Sequence, residues 1–289
     1  MNRQRLVGAA WIAASASGFG AMAIFVKQAY AQGVGLESLL FLRFALAGAC
    51  LSLFMVWRRL PWPERKLLPS LLLMGGVGYV GQAYCYFAAL RHASAGLTAL
   101  LLYLFPILVA LFSALLGRQR LTQGRALAVA VAFSGTLLTI GGSLAGSPLG
   151  IALGLGAACI YAIYILAGER LTAQAGPLAS SAVIMVGAAL VYGGLALALE
   201  SPMPTTPLAW GAVLGIVFLS TILGMVGFFA GMARLGAADA AALSTLEPLV
   251  TLVLASLFLG ERLGLTQMLG GLLILGAVLA LTRNPPQDH

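Results

Sequence analysis

The chain has 289 residues, of which 61% belong to the hydrophobic set and only 8% are charged. A water-soluble domain carries about 25% charged residues, so this composition excludes an ordinary globular enzyme. A net charge of +8 would suggest nucleic acid in a soluble protein, but here it fits the cationic excess of cytoplasmic loops in a membrane protein, and no nucleic acid is expected.

One membrane crossing needs about 20 apolar residues. Apolar runs at 6–27, 36–57, 67–90, 93–116, 124–142, 148–168, 178–199, 207–233, 237–260 and 264–282 predict an all-α, polytopic protein of ten transmembrane helices. The first run follows Arg3 and Arg5 and is longer than the apolar core of a signal peptide, so it is expected to be retained. Its face Trp11, Ser15, Gly18 and Met22 is a candidate cavity wall, although Trp11 also suits an interfacial anchor. The second run contains Arg43, an intramembrane cation suited to a substrate carboxylate or to pairing with Glu247 or Glu261.

The third run carries Tyr79, Gln82 and Tyr86 at i, i+3 and i+7, one helical face. Tyr79 lies too deep for an interfacial belt, and a mid-membrane glutamine is costly against lipid. This face is expected to line a substrate cavity; the alternative for Gln82 is an interhelical hydrogen bond worth about 1 kcal/mol. The fourth run holds Tyr103 just before Pro106, and the ninth holds Ser244, Thr245 and Glu247 just before Pro248. Each proline frees the carbonyl four residues earlier, Leu102 or Ser244, which must find another partner or a wet cavity. Pro106 and Pro248 are therefore candidate hinges. Glu247 is a candidate coupling-proton or amine site. The sixth run adds Tyr161 and Tyr164, and the eighth adds Thr221, with Gly211-x3-Gly215 and Gly227-x3-Gly231 suited to close helix approach. Glu261, beside Arg262, reads as a structural helix-end residue.

Cationic residues set the orientation. Arg3, Arg5, Arg58, Arg59, Arg65, Lys66, Arg118, Arg120, Arg125, Arg170, Arg234 and Arg283 fall on one side, against Lys27, Arg91 and Arg262 on the other. Both termini are therefore expected in the cytoplasm.

An internal repeat organises the chain. A shift of 142 residues aligns Ala31-Gln32 with Ala173-Gln174, Leu36 with Leu178, Ser38 with Ser180, Phe87-Ala88 with Phe229-Ala230, Leu104 with Leu246, Pro106 with Pro248, and Arg120-Leu121 with Arg262-Leu263. Two units, 1–142 and 143–289, would each hold five helices. An odd number inverts the second, which is the architecture of alternating-access transporters.

The run from Trp11 to Ile24, Phe41-Leu42-Arg43-Phe44, and Leu246-Glu247-Pro248-Leu249 through Leu259-Gly260-Glu261-Arg262 resemble the drug/metabolite transporter superfamily in its ten-helix EamA-type branch. The resemblance covers nearly the whole chain. The first half departs from it, with Phe105 in place of Glu247 and Gln119 in place of Glu261. Within the branch the chain is similar to YddG-type exporters of aromatic and other amino acids. The resemblance implies export of amino acids and related metabolites across the bacterial inner membrane. A multidrug or metabolite efflux carrier is the alternative; a membrane lipid enzyme and a passive channel are further rivals.

Other motifs carry no chemistry. Gly18-Phe19-Gly20-Ala21-Met22-Ala23 matches a dinucleotide fingerprint but lies within a span with no strand before it. Cys50, Cys85 and Cys159 have no metal or redox spacing, and neither His92 nor His289 looks catalytic. No metal or cofactor is expected. The partners are small-molecule substrates and the bilayer, and a monomer is expected because the repeat supplies both halves.

Overall fold

The computed structural model describes residues 3–116, 123–141, 146–235, 243–244, 246–262 and 264–283. These residues form helices α1 (Arg3–Ala31), α2 (Leu36–Trp57), α3 (Arg65–His92), α4 (Ala95–Leu115), α5 (Gln123–Gly141), α6 (Pro148–Ala175), α7 (Pro177–Ala198), α8 (Pro207–Leu235), α9 (Leu246–Leu259) and α10 (Leu265–Arg283). Seven helices (α1 to α4 and α6 to α8) are long and apolar enough to cross a membrane, and α5, α9 and α10 contain shorter apolar stretches. No strand occurs among the described residues. Residues 237–242 of the expected ninth run, Thr245, Gln119 and His289 lie outside the described residues.

The helix boundaries follow local chemistry. Ser147 and Thr206 precede proline at the first helical position, and their hydroxyls accept from the backbone N–H groups of Gly150 and Ala209. Between α3 and α4 the chain breaks after His92, and Ser94 caps α4 by accepting from the Leu97 N–H. α6 continues through Ala175, several residues past the apolar run, and stops at Gly176, whose φ of 78° and following Pro177 end it. Composition marks where apolarity ends, whereas backbone chemistry marks where a helix ends.

Two helices depart from α geometry at related places. α3 is π-helical over Met74–Tyr79 and α8 over Gly215–Leu223, segments that overlap under the 142-residue shift. α4 is interrupted at Tyr103 and Leu104, just before Pro106. The α8 segment stands against Arg43, through the Thr221 hydroxyl, and the α3 segment ends at Tyr79. Wide turns of this kind are frequent at functional sites.

The closest helix pairs are α2 with α7, α5 with α10, α1 with α8 and α3 with α6. Small residues permit this. A Cβ on Gly18 of α1 would overlap the Leu219 carbonyl oxygen of α8, and one on Gly227 would stand 3.0 Å from the Trp11 carbonyl oxygen. Gly227-x3-Gly231 is thus a close α1–α8 contact. Gly211, by contrast, faces open space, so Gly211-x3-Gly215 does not act as a packing pair. Leu53, Val56, Leu73, Val77, Leu197, Leu257 and Phe258 stand exposed around the outside, a surface suited to lipid.

Loop contacts gather the α1–α2, α3–α4, α5–α6, α7–α8 and α9–α10 connections at one end of the bundle. The Gly35 N–H donates to the Pro202 carbonyl at 2.8 Å, the Ser201 hydroxyl to Glu37 at 3.0 Å and the Ser147 N–H to the His92 carbonyl at 2.8 Å. Glu261 accepts from the N–H groups of Ala95 and Gly96 at 2.7 and 3.1 Å and lies 3.7 Å from the Lys27 ammonium. Its helix-end role is therefore to cap α4, with the Lys27 ammonium nearby. Replacing Glu261 with Ala removes a charge-assisted cap and should lower stability by about 1–2 kcal/mol, read as a lower Tm in detergent. An unchanged Tm would show that the cap contributes nothing.

Candidate functional site

A cavity of about 510 Å³ lies among the helices, within the range of small-molecule sites. α3 presents Tyr79, Gln82 and Tyr86 to it, all three residues of the expected face. α1 contributes Ser15 and Met22, and α6 contributes Tyr161. Tyr103 and Pro106 of α4 reach it beside Ser244 and Glu247 of the α9 region, and Arg43 reaches it from α2.

Three expected wall residues stand elsewhere. Trp11 lies one helical turn before Ser15, beyond the cavity's end, beside Gly227 of α8. Gly18 is committed to the Leu219 backbone, because without a side chain its position on α1 serves contact rather than lining. Thr221 is buried behind the wall: its hydroxyl accepts from Arg43 Nε at 3.2 Å and donates to the Ile216 carbonyl at 2.8 Å. Pro248 is buried but does not line the cavity.

The proline kink at Pro248 finds its partner inside the site. The carbonyl of Ser244, freed by Pro248, accepts from the Tyr103 hydroxyl. A residue from the kinked region of α4 thereby ties the kinked region before α9. Ser15 donates to the Gly224 carbonyl at 2.6 Å, and Thr251 donates to the Gly20 carbonyl at 3.0 Å, fixing α1 between α8 and α9.

Aromatic rings form a continuous chain along one wall. Tyr79 stacks on Tyr164 at 5.6 Å, Tyr164 on Tyr161 at 6.2 Å, and Tyr161 meets Phe105 at 4.7 Å. Tyr164 is thus a packing partner of lining residues. Arg43 is buried, its guanidinium 5.0 Å from the Phe44 ring and 5.4 Å from the Phe87 ring. Among the described residues no salt bridge joins it to Glu247 or Glu261. The Glu247 carboxylate has no hydrogen-bond or ion-pair partner among the described residues. No metal-ligand cluster occurs among them.

The lining follows the 142-residue offset. Phe19 and Tyr161, Ala83 and Met225, Tyr86 and Phe228, Leu102 and Ser244, and Phe105 and Glu247 are pairs 142 residues apart, and both members of each pair line the cavity. Phe19, Ala83 and Met225 were not singled out in the sequence as lining residues. Only Phe19 had a signal, its offset to Tyr161; Ala83 and Met225 are offset only from each other, and apolar lining and apolar packing use the same residue types.

Comparison with known proteins gives consistent matches along the chain. The sequence profile of the EamA-like transporter family matches residues 6–141 and again 148–283. The uncharacterized transporter YcbK of Bacillus subtilis is 30% identical over 269 residues, covering 87% of this chain and 85% of its own. The threonine/homoserine exporter RhtA of Escherichia coli K12 is 32% identical over 250 residues, covering 86% of this chain and 80% of its own. A protein solved by crystallography shares the fold with a TM-score of 0.67 at 19% identity, covering 96% of this chain and 95% of that one.

Proposed function

The chain belongs to the EamA-like transporter family, whose members are transporters rather than enzymes, and from that premise we propose that it exports amino acids and related metabolites across a bacterial inner membrane by alternating access. The observation that carries the reading is the cavity itself. It is walled by pairs of residues 142 positions apart and drawn from both halves, as expected of a carrier whose substrate sits between two inverted repeats.

The proposed architecture is ten transmembrane helices in two inverted units, 1–142 and 143–289. Three features support it. The family profile matches twice, and the closest helix pairs map onto one another under the shift: α1 with α8 exchanges with α6 with α3, while α2 with α7 and α5 with α10 map onto themselves. The two π-helical segments also correspond. In the proposed orientation both termini are cytoplasmic, supported by the excess of cationic residues on that side. The loop contacts around Glu37, His92 and Glu261 then close the periplasmic end. A monomer suffices, because one chain supplies the whole cavity wall.

Amino acids are the substrate class that the mixed aromatic and polar wall suits, and RhtA carries that activity in its name. The test is counterflow in liposomes holding purified protein preloaded with unlabelled threonine, methionine or phenylalanine. Labelled amino acid should accumulate against the internal pool. Absence of exchange for all three, with a lipophilic cation moving instead, would transfer the protein to multidrug efflux. Exchange without saturation would indicate a channel. Tyr79→Ala and Gln82→Ala should each change half-saturation or rate by about tenfold with an unchanged gel-filtration profile; unaltered kinetics in both would remove α3 from the substrate path.

A further inference from the structure

The repeated frame of the cavity carries unrepeated charges. Where the first half has Arg43, the related position of the second is Met185, buried and away from the cavity. Where the second half has Glu247, the first has Phe105, which lines the opposing position. Among the described lining residues, Arg43 and Glu247 are the only charged ones, of opposite sign and from opposite halves.

Each is held without being neutralised. Arg43 is fixed through Nε by Thr221 and flanked by the Phe44 and Phe87 rings, which leaves its terminal nitrogens with no hydrogen-bond partner among the described residues. The Glu247 carboxylate is likewise unpartnered among them, and no ion pair joins the two. A charge kept in an apolar enclosure is unfavourable unless an opposite charge or several hydrogen bonds compensate it. Both groups line the same cavity, together with Tyr86 and Tyr161.

We propose that the cavity selects small zwitterions and holds them in one orientation, carboxylate at Arg43 and ammonium at Glu247, with the neutral side chain against the aromatic wall. The proposal rests on the transport reading of this cavity and adds the chemistry of selection. A zwitterion compensates both protein charges at once. An organic cation satisfies Glu247 but leaves Arg43 unmet and repelling, and an anion does the reverse, so selection works by penalty as well as by attraction. The guanidinium can grip a carboxylate with two parallel hydrogen bonds, which an ammonium in its place would not do. Because the two charges lie in different halves, a bound zwitterion bridges them.

The test is competition in threonine counterflow by three neutral-side-chain probes: threonine itself, threonine amide (a cation) and N-acetylthreonine (an anion). With the unaltered protein, threonine should compete at concentrations at least tenfold below either derivative. Arg43→Met should cut threonine exchange at least tenfold and make the amide the better competitor. Glu247→Gln should instead admit N-acetylthreonine, and Arg43→Lys should restore much of the preference for threonine. Equal competition by all three probes in the unaltered protein, or an unchanged preference in Arg43→Met and Glu247→Gln alike, would overturn the proposal while leaving amino-acid transport standing. Failure of the unaltered protein to exchange any amino acid would overturn both. If Arg43→Met does not fold, the isosteric Glu247→Gln decides alone.

Discussion

Gly18→Leu is expected to yield almost no folded protein. The reason is backbone proximity: a Cβ at Gly18 would occupy the space of the Leu219 carbonyl oxygen, an atom that no rotamer change can move. Gly20 is similarly confined, its added Cβ standing 2.8 Å from the Glu247 carbonyl oxygen, so α1 is pressed against α8 and α9 at once. Any side chain at Gly18 must push α1 away from α8, breaking the Ser15 bond to Gly224 and shifting the cavity wall. Overpacking of a close core typically costs about 1–3 kcal/mol, and displacement of a whole helix against two neighbours lies at or beyond the upper end. The readout is the monodisperse fraction in detergent by fluorescence-detected gel filtration. Gly194→Leu on α7 is the control, since nothing lies within 4 Å of its added Cβ and it should behave as the unaltered protein. A normal elution profile for Gly18→Leu would show that α1 and α8 are not in this contact in the membrane.

Pro248→Ala should slow exchange about tenfold, a barrier change of roughly 1.4 kcal/mol, while altering half-saturation less than about twofold. Alanine restores a backbone N–H that can reach the Ser244 carbonyl and continue the helix through this point. The Tyr103 hydroxyl, which now donates to that carbonyl, would lose exclusive use of it. The result is a stiffer α9 and a weaker tie between the two kinked regions, both opposed to bending. Tyr103→Phe alone removes one donor from that carbonyl and should lower stability by about 1 kcal/mol. In the Pro248→Ala background the same change should lower it much less, because the restored N–H takes over the bond. Such non-additivity is the signature of two changes acting on one carbonyl. Additive effects would disconnect Tyr103 from the proline, and unaltered turnover in Pro248→Ala would remove the hinge.

The sequence exposed these two sites unequally. Proline, serine and threonine at helix starts, and glycine with positive φ at Gly176, are local signals, so helix limits were largely legible from neighbours in the chain. The α3 face was legible because Tyr79, Gln82 and Tyr86 are polar groups inside an apolar run, a placement that needs a reason. Phe19, Ala83 and Met225 gave no such signal, because lining a cavity and packing a core demand the same side chains. The partner of Arg43 was illegible for another reason. A buried guanidinium requires an acceptor, but the choice of Thr221, 178 residues away, depends on the crossing of α2 and α8. The π-helical segments were likewise hidden, since the change lies in the backbone hydrogen bonds and no residue type in these apolar stretches marks it.

The pairing of Phe105 with Glu247 and of Met185 with Arg43 has a consequence for ancestry and for engineering. A dimer of identical first halves would place two guanidinium groups across its axis and no carboxylate; a dimer of identical second halves would place two carboxylates and no cation. Like charges facing each other in an enclosed site repel. Within the proposed two-unit architecture, only a chain whose halves differ at these positions can set a single positive pole against a single negative one. In the proposed two-unit architecture, joining the halves would do more than guarantee equal amounts of two subunits: it would give the scaffold a polarity that no homodimer of either half can possess.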